Sequence, residues 1–210
     1  HTKSNFKLIF DNNECDSTLT WKYLYPNVPV PLILQHIRDQ DIWVWENKDS
    51  EAYLSYLSSL EYSFDGFYEH YVASTIGTDF RLQTIYEDQL RLGRILLKQK
   101  YTFTDSIVSS GLRTITLDGK QVKVVNSPPM FIGEIKKRLI DTGEDNLLII
   151  HSDTPSGKRI SVRSREGHSA YDIAKLIEPI KGGGHICASG AFIPYSDFST
   201  NPFTKTLYSL

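Results

Sequence analysis

The glycine-rich stretch IKGGGHICASGA, residues 180–191, is the strongest chemical signal in this chain. Gly182, Gly183 and Gly184 are followed by His185 and then by small residues. Glycines let backbone N–H groups come close to an anion, and a short helix after them would point its positive end at that anion. The stretch is therefore either a helix C-cap that continues into a loop, or a phosphate cradle with His185 as an additional donor.

A cationic strand is predicted upstream of the glycines, in KRISVRSR at residues 158–165. Because side chains alternate along a strand, Ile160 and Val162 share one face. The opposite face carries Arg159, Ser161, Arg163 and Arg165. Arginine offers forked donors that suit phosphate. The pattern alone also fits a solvated sheet face, but an arginine strand and a glycine run can converge on one anion.

A third candidate site is the segment RDQDIWVW, in which Asp39 and Asp41 are two residues apart and His36 lies close by. A carboxylate held against an apolar wall is a ligand for a divalent cation. The alternative is a charged helix end beside two core tryptophans, Trp43 and Trp45. The residue types alone leave both interpretations open.

The composition indicates a globular protein in which any anion site is local. The 210 residues can bury a substantial core, and a net charge of −2 excludes binding to nucleic acid through the charge of the whole molecule. Cys15 and Cys187 form no Cys-x-x-Cys motif, so we expect reduced thiols, no structural zinc and a cytoplasmic location. No apolar run is long enough for a bilayer, and we expect no membrane partner.

The elements that must position the glycines and arginines alternate between strands and helices. A hairpin is predicted at residues 111–128, with its turn at Asp118-Gly119. Further strands are predicted at 146–152, 158–165 and 190–196, with helices at 130–143 and 169–180. This alternation predicts an α/β unit.

The first half of the chain is predicted to be mainly helical. A weakly alternating strand at residues 5–10 precedes a helix at 18–26, which Pro26 stops, and a helix-like segment at 32–46. From residue 49 to about 100 the pattern is helical and rich in tyrosine, with Gly77 between two helices. We divide the chain into residues 1–46, a helical connector at 47–105, and the α/β domain at 106–210.

Together these features resemble the DHH phosphoesterase superfamily. Residues 158–191 are similar to its DHH-associated C-terminal domain, which has an Arg-Ser pair on a strand, an Asp-hydrophobic motif and a Gly-Gly-Gly-His motif. The matching positions are Arg163-Ser164, Asp172-Ile173 and residues 182–190. The resemblance implies a mixed sheet and a domain that grips substrate. It implies substrate contacts at Ser164, Arg163, Arg165, Gly182, Gly183, Gly184 and His185.

The segment IRDQDIWVW resembles the part of these enzymes that carries an aspartate in an Asp-x-Trp-x-Trp context. The resemblance implies that Asp41 is a metal ligand and a catalytic residue, rather than Asp39. In the family, two divalent ions, usually Mn²⁺, activate a water that attacks a phosphodiester or phosphoanhydride. The implied parent enzyme is a phosphodiesterase or exonuclease acting on short oligonucleotides or nucleotide phosphodiesters.

The chain departs from the family pattern because it contains neither Asp-His-His nor His-x-x-x-Asp-x-Asp. Residues 1–46 therefore resemble only the C-terminal remnant of the metal-binding domain, and the chain starts with His1 rather than Met. We expect a fragment that supplies mainly the substrate-binding part and holds metal weakly, since divalent ions need several ligands. The missing N-terminal part would be a partner, and a homodimer is left open.

Two alternatives remain from the sequence. A related DHH-associated domain in alanyl-tRNA synthetases contacts RNA without hydrolysis, so the chain could be a non-catalytic module that binds nucleic acid. Polyphosphate cleavage also occurs in the superfamily, although those pyrophosphatases generally lack the glycine run. Asp41, which is followed by Trp43 and Trp45, favours the hydrolases, because the resemblance of this segment is to them.

Overall fold

The computed structural model describes residues 8–61, 63–66, 68, 80–177 and 183–208. The chain forms two compact units, residues 1–99 and residues 100–210. The predicted division at residues 46 and 105 stays a prediction. In the described ranges, no helix combines the length and the apolar character that crossing a membrane requires. Cys15 and Cys187 are both free thiols.

The first unit is helical over the elements that the structure describes. Helices α1, α2 and α3 span Asp16–Leu24, Leu32–Asp41 and Ser50–Leu57. The long helix α4 spans Phe80–Gly111, so it begins in the first unit and ends in the second. Helices α2, α3 and α4 share a core of four buried residues: Ile33, Ala52, Tyr53 and Leu90. The predicted strand at 5–10 is not formed at 8–10, and its first residues lie outside the described ranges, as does Gly77.

The predicted helix at 32–46 is wrong beyond residue 41. After α2, Trp43 and Trp45 adopt left-handed backbone angles, with φ of 61° and 52°. The Asp39 carboxylate accepts the Asn47 backbone N–H at 2.9 Å, which turns the chain back towards α2. This local hydrogen bond replaces the helical bonds that the apolar spacing alone would favour.

The second unit is built on a mixed six-stranded sheet with the strand order β1-β2-β3-β4-β6-β5. The strands are Arg113–Leu117, Lys120–Asn126, Leu147–Thr154, Gly157–Ser164, Gly183–His185 and Ala188–Pro194, for β1 to β6. Among these described strands, only β2 and β3 pair in parallel. The predicted α/β class with a mixed sheet is confirmed. The turn between β1 and β2 has φ of 49° at Asp118 and 72° at Gly119, as a two-residue hairpin requires.

The crossover from β2 to β3 is not the single helix predicted at 130–143. It consists of a 3-10 turn at Pro129–Phe131, helix α5 at Ile132–Lys136 and a π-helical turn at Lys137–Asp141. Its apolar side chains cover β2 and β3 on one face of the sheet. Helices α6 and α7, at Ala170–Ile177 and Pro202–Tyr208, contribute to a second core on the other face.

The glycine run does not lead into the short helix that the sequence predicted. Gly183 and Gly184 belong to strand β5, which forms a hairpin with β6. Gly184 has a φ of 139°, and a Cβ there would overlap the backbone of Ala188 and Ser189. The glycine is therefore needed for a close approach of two strands. Gly182 lies outside the described residues.

Candidate phosphate-binding groove

A groove of about 680 Å³ lies on the sheet surface over β4 and β6. On β4, Ile160 and Val162 pack into the core that includes α6 and α7. Alternation therefore brings the intervening residues out on the opposite face. The residues that line the groove include Pro129, Ile132, Arg159, Ser161, Arg163, Gly184, Ala188, Gly190 and Phe192.

The groove follows from the residues that stand opposite β4. The antiparallel register pairs Arg163 with Ala188, Ser161 with Gly190, and Arg159 with Phe192. Directly opposed residues present their side chains on the same face. Small residues therefore face Arg163 and Ser161, whereas a ring faces Arg159. The result is a trough that is lined by small residues beside Arg163 and Ser161 and by an aromatic side chain beside Arg159.

Strand β5 adds a third residue to two of these β4–β6 pairs. Its register sets His185 opposite Ala188 and Gly183 opposite Gly190. Arg163, Ala188 and His185 thus form one row across three strands, with their side chains on one face. His185 is exposed. The predicted convergence of Arg163 and His185 on one phosphate stays a prediction, and Gly184 is the member of the glycine run that lines the groove.

The guanidinium of Arg163 is the most distinctive group in the groove. It is half-buried and donates to the backbone oxygens of Val162 at 2.9 Å and Ser189 at 3.5 Å. Within the described ranges, no carboxylate forms an ion pair with it. Burial lowers the pKa of Arg163, because desolvation disfavours its charged form. A bound anion would compensate this charge.

Ser164 and Arg165, both predicted to contact substrate, do not line the groove. The Ser164 hydroxyl donates to the His168 oxygen at 2.7 Å and accepts the Ala170 N–H, so it anchors the start of α6. Arg165 donates to the backbone oxygens of Ile140 and Gly143 at 2.6 and 2.5 Å. These contacts tie the end of β4 to neighbouring segments. A substrate contact by either residue stays a prediction.

Asp41 is exposed at the end of α2, whereas Asp39 is buried. In the portion of the chain that the structure describes, no group of three or more His, Cys, Asp or Glu side chains is arranged to hold a metal ion. The described residues therefore do not form a ligand set for the divalent ions that the family resemblance implies. The assignment of Asp41 as a metal ligand and catalytic residue stays a prediction.

The buried aspartate belongs to a hydrogen-bond network that the sequence reasoning missed. Ser50 Oγ donates to Asp39 Oδ2 at 2.6 Å and lies 2.8 Å from His36 Nδ1, while His36 Nε2 lies 2.8 Å from the Tyr86 hydroxyl. Because Ser50 gives its proton to Asp39, Nδ1 of His36 is the donor and Nε2 accepts from Tyr86. Burial lowers the pKa of His36 to about 4, so it is neutral near pH 7. The only sequence signal was the spacing of His36 and Asp39 on one helix face.

No protein-family model matches this chain. Among curated proteins, it is similar to the uncharacterized protein R106 of Acanthamoeba polyphaga mimivirus, with 24% identity over 178 residues. That alignment covers 82% of this chain and 39% of the relative. The chain thus spans about two fifths of the length of the curated relative that it matches.

Three solved structures are also similar to the chain. A pGpG-specific phosphodiesterase, PggH from Vibrio cholerae, matches with 10% identity and a TM-score of 0.49 over 86% of this chain and 68% of that protein. RecJ from Thermus thermophilus, solved with Mn²⁺, matches with 16% identity and a TM-score of 0.46, over 76% and 23% of the two chains. The DHH domain of a protein described as a member of a family of ribosomal proteins has 18% identity and a TM-score of 0.46, over 74% and 39%. Identities this low leave the substrate open.

Proposed function

We propose that this chain is the substrate-binding part of a DHH-type phosphoesterase, and that the groove over β4 and β6 binds a phosphate of a short oligonucleotide or nucleotide phosphodiester. The observation that carries this proposal is the half-buried Arg163 guanidinium, which faces a groove and has no carboxylate partner among the described residues. The motif resemblance of residues 158–191 supports the same site independently.

The chemistry of the groove favours an anion with several oxygen atoms. A guanidinium has five N–H donors in a planar fork, which matches phosphate oxygens in pairs. Ser161 adds a hydroxyl next to Arg163 along the same face of β4. Ala188 and Gly190, opposite these two residues, leave room for a ligand to approach the strand backbone.

The size of the groove favours a ligand larger than a free phosphate ion. Its volume of about 680 Å³ falls within the range of typical small-molecule sites. Apolar side chains, including Pro129 and Ile132, contribute to the lining. A nucleotide combines a charged phosphate with a flat apolar base, and it suits this mixture.

The residues of this chain would bind and orient the phosphodiester. Arg163 would neutralise one negative charge and fix the position of the phosphorus, and the glycine-backed hairpin would admit the sugar-phosphate backbone. When bound in a complete parent enzyme, divalent metal ions would supply the activated water. Asp41 would be one ligand among several, and the remaining ligands would come from outside the described residues.

Calorimetric titration of the chain with AMP tests this proposal. A charge-assisted hydrogen bond contributes about 1.5–3 kcal/mol, so Arg163→Ala should weaken AMP binding roughly tenfold or more. Arg138→Gln is the matched control, because it removes an arginine that is 59% exposed and paired with Asp105. Arg163→Lys should give an intermediate affinity, since it retains the charge but loses the fork.

Equal AMP affinities for the unmodified chain and Arg163→Ala would refute the proposed phosphate site. A second measurement separates hydrolysis from binding alone. The complete parent protein, assayed with Mn²⁺ against a dinucleotide, should hydrolyse it. Binding without any metal-dependent hydrolysis would instead favour a non-catalytic nucleic-acid module.

A further inference from the structure

We infer that the groove contains a second anchor, formed by Arg159 and Phe192, which binds a nucleotide at a distance from the phosphate at Arg163. This inference rests on the proposed phosphate site and adds to it a preference for single-stranded oligonucleotides over mononucleotides. Neither residue belongs to the motif positions of the family resemblance. The second anchor follows from the register of β4 and β6.

Arg159 and Phe192 are directly opposed on these two antiparallel strands. Both line the groove, and both present their side chains on the face that carries Arg163. Arg159 is exposed, and Phe192 keeps 36% of its surface accessible. An arginine beside an aromatic ring offers hydrogen-bond donors to a phosphate and a surface on which a base can stack, in one place.

The Arg159 guanidinium is available for a ligand. Across the described residues, no hydrogen bond or ion pair engages it. This sets it apart from Lys158, the preceding residue on the other face, whose ammonium group pairs with Asp153 at 2.6 Å. It also differs from Arg165, which is held by backbone oxygens.

The two anchors are joined by an open path. Between them, Ser161 faces Gly190, and Gly183 lies opposite Gly190 on its other side. Two of the three residues in this row therefore have no side chain. A chain molecule could cross the row without displacing any protein group other than the Ser161 hydroxyl, which is small and polar.

The distance between the anchors sets the length of the ligand. Arg159 and Arg163 are four residues apart on one strand, which corresponds to about 13 Å between their Cα atoms. A stacked nucleic-acid strand advances about 3.4 Å per phosphate, so the three steps of a 5′-phosphorylated tetranucleotide cover about 10 Å, and the flexible arginine side chains can close the remaining distance. A mononucleotide can reach only one anchor, whereas a tetranucleotide can reach both.

The test compares AMP with 5′-phosphorylated oligoadenylates of two and four residues. Binding is measured by calorimetry for the unmodified 210-residue chain and for its variants Arg159→Gln, Phe192→Thr and Arg163→Ala. The unmodified chain should bind the tetramer at least tenfold more tightly than AMP. Arg159→Gln and Phe192→Thr should each weaken tetramer binding roughly tenfold while AMP affinity changes less than about twofold. Arg163→Ala should weaken binding of every length.

Two controls separate a binding role from a structural one. Phe192→Tyr keeps the ring on the strand and should retain tetramer affinity, whereas Phe192→Thr keeps strand propensity but loses the stacking surface. Arg159→Gln should also reduce the salt dependence of tetramer binding, lowering the slope of log K against log salt by about 0.7. A mutation that only loosened the fold would weaken AMP binding as well.

The failure of this inference differs from the failure of the proposed function. If Arg163→Ala weakens AMP binding as expected while Arg159→Gln and Phe192→Thr leave tetramer binding unaffected, the second anchor is wrong and the phosphate site stands. If the tetramer binds no better than AMP, the length preference is refuted. If Arg163→Ala changes nothing at any length, the proposed phosphate site is refuted together with the second anchor.

Discussion

Replacing Gly184 by alanine should detach strand β5 from β6, whereas the same change at Gly190 should leave the hairpin intact. Gly184 has a φ of 139°, a conformation that residues with a Cβ rarely adopt. A Cβ there would lie 2.5 Å from the Ala188 oxygen and 2.6 Å from the Ser189 Cα. At Gly190, the nearest atom to a new Cβ is the Ile160 oxygen at 3.5 Å, which is an ordinary contact.

The expected loss of stability in Gly184→Ala has two sources. A strained backbone conformation costs about 1–3 kcal/mol, and forcing a methyl group against packed backbone costs about 1–3 kcal/mol more. The chain can relieve both by releasing β5, which is a three-residue strand at the sheet edge. The measured loss is therefore limited by the free energy that holds β5 on β6. We expect about 2 kcal/mol for Gly184→Ala and less than about 0.5 kcal/mol for Gly190→Ala.

Hydrogen exchange followed by mass spectrometry is the suitable assay, because it resolves the hairpin from the rest of the sheet. Gly184→Ala should accelerate exchange in a peptide covering residues 183–190 and leave β3 unchanged. Gly190→Ala should exchange like the unmodified chain but bind AMP more weakly, since its methyl group enters the groove. Unchanged exchange in Gly184→Ala, or equal acceleration in both variants, would refute the reasoning.

Three further predictions concern residues outside the groove. Gly93→Ala should destabilise the first unit by about 2 kcal/mol in a denaturant titration, because its Cβ would overlap the backbone of Ala52. His151→Leu should raise the melting temperature at pH 5, because both ring nitrogens are buried without a hydrogen-bond partner and burial lowers the pKa of His151 to about 4. Asp39→Ala should cost about 2–3 kcal/mol, because the Asn47 N–H and the Ser50 O–H would both lose the carboxylate that accepts their hydrogen bonds. In contrast, Asp41→Asn should leave stability unchanged and lower metal-dependent hydrolysis by the complete protein roughly 100-fold.

The pH dependence at His151 follows from the sign of its pKa shift. Above about pH 6.5 the imidazole is neutral in both the folded and the unfolded chain, so it contributes no pH dependence. As the pH falls from 6.5 to about 4, the unfolded chain binds a proton that the folded chain does not, and stability is lost. His36 has a similarly lowered pKa, so His151→Leu should remove only part of the acid destabilisation. An identical acid profile in the variant would contradict this assignment.

Matched controls exist for the other two predictions. Gly111→Ala lies on the same helix as Gly93, but its Cβ would be 3.7 Å from Val125 Cγ2, so it should be tolerated. For the aspartates, the pair itself is the control, because Asp39 is buried and Asp41 is exposed. If Asp39→Ala were silent and Asp41→Asn unfolded the chain, the structural and functional roles would be reversed.

Much of the second unit could be predicted because its signals are local. The Asp118-Gly119 turn requires left-handed angles that its residues adopt easily, and Ser169 accepts the Asp172 N–H at 3.1 Å at the start of α6, as its sequence indicates. Alternation on β4 also predicted correctly that Arg159 and Arg163 lie on the face opposite the core that contains α6 and α7.

The features of the second unit that the sequence did not predict depend on pairing between residues on different strands. The sequence around Gly183 and Gly184 alone indicates a loop, and these residues form a strand only because Gly190 and Ser189 present a backbone with which they pair. The alternation along β4 predicted that Arg165 would share the face of Arg163. However, β4 ends at Ser164, and Arg165 donates to the backbone oxygens of Ile140 and Gly143. The groove itself required knowing that Gly190 stands opposite Ser161, which spacing along one strand cannot reveal.

The alternation along β6 has an evolutionary consequence. Ala191 and Ile193 face the core, while Gly190 and Phe192 face the groove. Substitutions at the second pair can change which ligands fit without removing apolar contacts from the first pair. Core packing and the lining of the groove thus depend on alternate residues of a single strand. A substitution at Gly190 or Phe192 would therefore alter the lining of the groove while the core side chains of β6 stay the same.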